Sequence, residues 1–213
     1  MDRNWKEVRS EVKRFVEEEV YPAEPVLHKG NEESKEKLSE LMQKAKDNSL
    51  WALGHPKDIG GQGMPFMEYV YINEVVGRSS SAMVALGTHS LQDSIMLREF
   101  APKKWRDEYL EPLVQGEVFP SFAMTEPDIS SSDPTQLQTT AILEGDEWVI
   151  NGEKYYISGA GDPRCKILIT MVKTSPDAET FRQQSHILIP IDTKGVEIMG
   201  PMHVFGDESA PHG

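Results

Sequence analysis

Two segments in the second half of this sequence carry residue types that could hold a ligand. In Phe122-Ala123-Met124-Thr125-Glu126-Pro127-Asp128-Ile129-Ser130-Ser131-Ser132-Asp133 an extended run breaks at Pro127 and ends in three hydroxyls beside an aspartate. The edge of such a strand presents N–H and C=O groups that can read a ring of alternating carbonyls and nitrogens, with Thr125 adding a hydroxyl. Ser130, Ser131 and Ser132 offer neutral donors suited to a pyrophosphate where the protein's overall field is negative. The second segment runs from Gly145-Asp146 through Asn151-Gly152-Glu153-Lys154 to Tyr155-Tyr156-Ile157-Ser158-Gly159-Ala160. Read as a strand, it sets Tyr156 and Ser158 on one face and Tyr155 and Ile157 on the other. An aromatic wall with a hydroxyl beside it suits a flat heteroaromatic ring. Each segment alone also reads as ordinary β-structure: a strand with a turn whose Ser and Asp cap local backbone, or a core aromatic.

Other chemistries find less support. The six histidines show no i, i+4 pair and no carboxylate pattern around them, so no metal site is expected. Cys165 opens an apolar run after Pro163-Arg164 and reads as a packed thiol rather than a nucleophile. The cluster Gly60-Gly61-Gln62-Gly63 has neither a strand before it nor Lys-Ser or Lys-Thr after it, so it is read as a connection between helices that exploits positive φ. Glu17-Glu18-Glu19 is the solvated face of a helix. Glu126 is assigned to backbone capping, and no carboxylate here is assigned as a catalytic base.

The elements that must position these residues change character near Glu117. Before it, apolar residues fall at helical spacing. Trp5, Val8, Val12, Phe15, Val16 and Val20 form one stripe, which Tyr21-Pro22 and Pro25 are expected to end. Leu38, Leu41, Met42 and Ala45 form a second stripe. A third helix follows Pro65 and runs to Gly77, and others are expected at residues 81–86, 90–100 and from Pro102 through Trp105, Tyr109 and Leu113. After Gly116, short extended runs alternate with turn residues: 119–125, 138–143, 148–150, 154–158, 166–172, 186–191 and 196–199, with Gly145-Asp146 as a hairpin turn and 173–185 as an exposed loop. Helices followed by strands, rather than alternating βαβ units, predict an α+β fold. It comprises an α-helical domain over residues 1–117 and a mostly antiparallel β-domain over 118–213.

Composition narrows the partners. The chain has 213 residues and a net charge of −13, which opposes non-specific attraction to nucleic acid or anionic lipid. The single cysteine allows no intrachain disulfide and fits a reducing intracellular compartment. No apolar run is long enough to span a bilayer, and Met1-Asp2-Arg3-Asn4 shows no targeting segment.

Taken together, these segments resemble the acyl-CoA dehydrogenase family. The likeness rests on His55-Pro56-Lys57-Asp58-Ile59-Gly60-Gly61-Gln62-Gly63, on Glu74-Val75-Val76-Gly77-Arg78, on Ala123-Met124-Thr125-Glu126-Pro127 and on Asn151-Gly152-Glu153-Lys154, in the family's order and spacing. It covers essentially the whole chain and is nearest to the branch of members 10 and 11, through 122–132, Ser158-Gly159-Ala160-Gly161 and Val204-Phe205-Gly206. The resemblance implies an FAD-dependent enzyme that forms trans-2-enoyl-CoA from acyl-CoA thioesters in fatty acid β-oxidation, in a mitochondrial or peroxisomal setting. It further implies that Phe122, Ala123, Met124 and Thr125 meet the isoalloxazine, with Thr125 as a hydroxyl donor. Ser131 and Ser132 would lie at the phosphate region, with Ser132 also at the acyl-CoA. Tyr156, Ile157 and Ser158 would flank the ring, Tyr156 standing where the family often has Trp.

By the same resemblance the β-domain is incomplete at its C-terminus, and the catalytic base, part of the FAD site and much of a homo-oligomer interface belong to a C-terminal helical bundle beyond Gly213. The 213 residues alone are therefore expected not to oxidise acyl-CoA. An electron-transferring flavoprotein is the implied acceptor. The alternatives are an acyl-CoA oxidase or related flavoenzyme fragment, and a non-catalytic interaction module of the same fold.

Overall fold

The computed structural model describes residues 4–202 and Gly213. Val204-Phe205-Gly206, His203 and His212 lie outside them. The chain divides into two compact units, Met1–Val118 and Phe119–Gly213.

The first unit is helical. Helix α1 (Trp5–Phe15) is capped by Asn4, whose side chain accepts from Lys6 N–H, and buries Val8, Val12 and Phe15. The stripe does not end at Pro22 as its sequence suggested. It passes through a π-helical turn, Val16–Val20, into α2 (Tyr21–Leu27). Tyr21 N–H reaches back to Val16 O, and the widened turn lets Pro22 enter where its missing donor and its ring do least harm. The same device recurs between α7 (Lys103–Trp105) and α8 (Glu111–Gln115), where the π-helical turn Arg106–Leu110 precedes Pro112. Between these lie α3 (Glu32–Asp47), α4 (Phe66–Val76), α5 (Ser80–Ala85) and α6 (Leu91–Phe100). Val8, Val12, Val16, Leu41, Ala45, Ile72 and Leu86 form their shared core.

The glycine cluster is a connection, following the 3-10 turn Lys57–Ile59. Gly60 and Gly63 have φ of 93° and 65°. Gly61 answers a different need: a Cβ there would overlap the backbone carbonyl of His55, which Gly63 N–H bonds at 2.8 Å.

The second unit is a mixed sheet of five strands. Strand β4 (Cys165–Lys173) is central and pairs antiparallel with β5 (Gln184–Pro190) along one edge. Its other edge takes β1 (Phe119–Ala123), in parallel, and then the start of β2 (Thr140–Glu144) at Lys173. Strand β3 (Glu147–Asn151) closes a hairpin with β2 across Gly145-Asp146, as the turn residues predicted. The antiparallel β4–β5 ladder is the longest, and a parallel pairing at Lys173 joins it to the β2–β3 hairpin. Ile167 and Ile169 on one face of β4 and Leu168 and Thr170 on the other are all buried, as befits a strand covered on both faces.

Three extended expectations need correction. The first strand ends at Ala123, not Thr125. Residues 196–199 pair with no strand among the described residues. Residues 154–158 form an irregular turn, because their backbone bonds go to separate partners rather than to one neighbouring strand.

Gly61→Ala should lower folding stability by about 1–3 kcal/mol, since the rigid His55 backbone cannot yield. Denaturant unfolding checks it, and a loss within error of zero contradicts the packing assignment.

Candidate functional site

The site begins with Glu126, at the turn after β1. It is 6% exposed, and its carboxylate accepts from Gln138 N–H (2.7 Å), Thr139 N–H (3.0 Å) and Lys154 Nζ (2.8 Å). Lys154, with its side chain 11% exposed, also donates to Met124 O at 2.8 Å. Burial alone would raise the carboxyl pKa of Glu126. The Lys154 ammonium and the two backbone donors outweigh it and hold the group at about 2. Burial instead draws the Lys154 pKa down, against the pull of Glu126. The two directions differ because Glu126 replaces its water with three donors, whereas Lys154 has one carboxylate and one carbonyl. The carboxylate governs the acid range, where Lys154 is charged throughout.

Around this pair the two candidate segments meet. Thr125 and Tyr155 bond reciprocally, Tyr155 N–H to Thr125 O at 2.8 Å and Thr125 Oγ1 to Tyr155 O at 2.5 Å. The Thr125 hydroxyl hydrogen is thus used within the protein here, and Oγ1 keeps lone pairs to offer as an acceptor. Ile157 pairs both ways with the Gly213 backbone, at 2.7 and 3.0 Å. Tyr156, pinned between these two attachments, has φ of 56°, a left-handed conformation that costs a residue with a Cβ about 1–2 kcal/mol. In that conformation its ring does not turn away from Tyr155, as strand alternation required. The two rings meet edge to face with centroids 4.4 Å apart, and Tyr156 is 46% exposed.

The remaining predicted residues divide in two. Ala123 and Ile157 are buried together with Ala160, which seats the turn on the end of β1. Phe122 is half-buried, its ring edge-on to His186 of β5 at 5.3 Å. Met124 is half-buried and Ser158 exposed. Ser131 is buried, and its hydroxyl bridges Glu126 N–H (2.7 Å) and Glu126 O (3.1 Å), closing the turn. Ser132 is exposed. Asp133 caps Thr135 N–H, the local role that serine- and aspartate-rich turns favour.

Sequence reasoning gave Lys154 no role. The only signal was a lysine set between a hairpin and two tyrosines, where its stem must cross apolar surface. In the helical unit His55 is fully buried, with Nε2 3.3 Å from Ser90 Oγ. Burial lowers its pKa to about 4, so it packs as a neutral imidazole.

The Glu126 pKa lies below its ordinary 4.5, so the stabilisation it brings is complete above pH 4.5 and is lost as pH falls from there through about 2. Glu126→Gln should remove about 3 kcal/mol at pH 7, leaving Lys154 buried without a counter-charge, and should flatten the stability profile across that acid window. Urea unfolding at a series of pH values checks both. An unchanged acid slope contradicts the assignment.

The sequence matches the acyl-CoA dehydrogenase N-terminal domain over residues 3–117 and the acyl-CoA dehydrogenase middle domain over 121–213. Acyl-CoA dehydrogenase family member 11 is 35% identical in Gallus gallus and 36% in Mus musculus, across 99% of this chain. The chain spans 28% of the length of each of those relatives. A solved structure from Mycobacterium abscessus superposes with a TM-score of 0.89 at 32% identity, covering 98% of this chain and 56% of its own. The Bacillus anthracis acyl-CoA dehydrogenase, solved with FAD, shares the fold at 23% identity and a TM-score of 0.73, over 99% of this chain and 35% of its own. Two matched domain models covering nearly all of the sequence, together with relatives above a third identical, lead to one conclusion: this chain belongs to the acyl-CoA dehydrogenase family.

Proposed function

We propose that this chain forms the flavin-reading portion of an FAD-dependent acyl-CoA dehydrogenase acting in fatty acid β-oxidation. The observation that carries the reading is Tyr156, a half-exposed aromatic residue held in a strained left-handed conformation by bonds on both sides. Such strain persists where the surrounding structure over-determines a residue, and it clusters at binding sites. The residues present suit a planar tricyclic ring: an aromatic surface at Tyr156, an exposed hydroxyl at Ser158 and an acceptor at Thr125 Oγ1. The Bacillus anthracis neighbour that binds FAD supports the same reading through its fold.

In this proposal Phe122, Ala123, Met124 and Thr125 supply the edge for the ring, and Tyr156, Ile157 and Ser158 supply its wall. Ile157 and Ala123 serve from beneath, as the buried seat of that wall. Ser131 shapes the phosphate end by closing the turn, and the exposed Ser132 donates to FAD phosphate or to acyl-CoA. Bound flavin supplies the hydride acceptor for α,β-dehydrogenation. Glu126 is not the base, because its carboxylate is committed to three donors and faces no open space for a substrate α-carbon. The base, a homo-oligomer interface and the contact with an electron-transferring flavoprotein are assigned to parts of the whole protein other than these residues.

Titration of the purified chain with FAD, followed by quenching of flavin fluorescence, should show saturable binding without acyl-CoA oxidation in an artificial-acceptor assay. Tyr156→Gly should weaken FAD binding about tenfold, from the lost ring contact, while leaving the melting temperature no lower than the parent's because glycine accepts the left-handed backbone. No saturable FAD binding, or robust acyl-CoA turnover by this chain, contradicts the proposal.

A further inference from the structure

Lys154 touches the residues on both sides of Thr125: Met124 through its carbonyl and Glu126 through its carboxylate, each at 2.8 Å. Thr125 itself is tied twice to Tyr155, the residue next to Lys154. The other bonds of Glu126 fix the backbone at Gln138 and Thr139, where the chain enters β2. Three stretches far apart in sequence therefore converge on one carboxylate and one ammonium. Neither group is open to a ligand, so any influence on binding passes through the residues they hold.

We infer that Lys154 and Glu126 are positioning residues for the cofactor: their ion pair holds the Met124 carbonyl in place and fixes how far the Tyr155–Tyr156 turn stands from the Thr125 edge. This rests on the flavin reading above. Lys154 is the particular hinge of the arrangement. Its single nitrogen occupies a carbonyl that would otherwise be free to reorient, and it draws the end of β1 and the approach to Tyr156 together. A lysine suits this geometry because its compact ammonium can direct separate donors at two oxygens, whereas the planar fork of arginine cannot be placed on both in the same way.

A merely structural pair would behave differently from a positioning pair. Replacing both members of a buried ion pair with apolar residues is often neutral or stabilising, because no charge is left stranded. A positioning role does not survive that exchange, since Met124 O and the N–H groups of Gln138 and Thr139 all lose their partners. The test therefore uses the full chain with Lys154→Met and with Lys154→Met combined with Glu126→Leu. It measures melting temperature, FAD affinity by fluorescence quenching and the visible absorption bands of bound flavin. The single variant should melt lower and bind FAD more weakly. The double variant should melt no lower than the single one, because no charge is left stranded, yet bind FAD at least about tenfold more weakly than the parent, with displaced flavin bands. Should the double variant fail to fold, Lys154→Arg keeps the charge and serves in its place, with the same loss of affinity and band displacement expected. Binding within about twofold of the parent, with unshifted bands, in whichever variant folds overturns the positioning role and leaves the flavin reading standing. A parent chain that binds no FAD overturns both.

Discussion

A carboxylate that is 6% exposed has lost its water and must recover its hydrogen bonds from the protein, and Glu126 recovers three. That requirement organises the second unit. Because the donors come from Gln138, Thr139 and Lys154, the turn after β1, the entry to β2 and the exit from β3 are brought to one point. The β-ladders alone would not do this. Among the described residues, strand β1 pairs only with β4, and β3 only with β2. Without the ion pair, the end of β1 and the tyrosine turn would be linked through the Thr125–Tyr155 bonds and the packing of Ala123 on Ile157 and Ala160.

Placement of the ring surface follows from this anchoring. Tyr155 is fixed by Thr125, Ile157 by Gly213 and by its burial with Ala123 and Ala160. The residue between them has little choice of backbone, and Tyr156 takes a left-handed conformation that few side chains adopt. The outcome is an aromatic ring stacked edge-on to its neighbour and open on its other side. Polar atoms nearby are largely spent on internal bonds, so the site offers shape and a few directed contacts instead of charge, consistent with a chain whose net charge is −13.

What could be read from the residues was what local physics dictates. Val8, Val12, Phe15, Val16 and Val20 mark a helix because burial repeats with the helical period, and Gly145-Asp146 marks a hairpin because two residues must reverse the chain. The π-helical turns before Pro22 and Pro112 escaped, since proline signals a break and nothing nearby signals the wider turn that accommodates it. Tyr155-Tyr156-Ile157 looked like a strand because aromatic and β-branched residues favour one, yet its conformation is set by Thr125 and Gly213, many residues away. Glu126 was legible as a backbone acceptor. Its partner Lys154 was not, because a pair separated by 28 positions leaves no periodic trace.

The central claim is that the Thr125 edge and the Tyr155–Tyr156 turn form one face for a flavin ring. A crystal structure of the chain grown with FAD tests it most directly. The isoalloxazine should lie against Tyr156 and Ser158, within hydrogen-bonding distance of Thr125 Oγ1, with Lys154 still bridging Met124 O and Glu126. A flavin seated elsewhere, or a Tyr156 turn covered by protein with no room for a ring, would contradict the account.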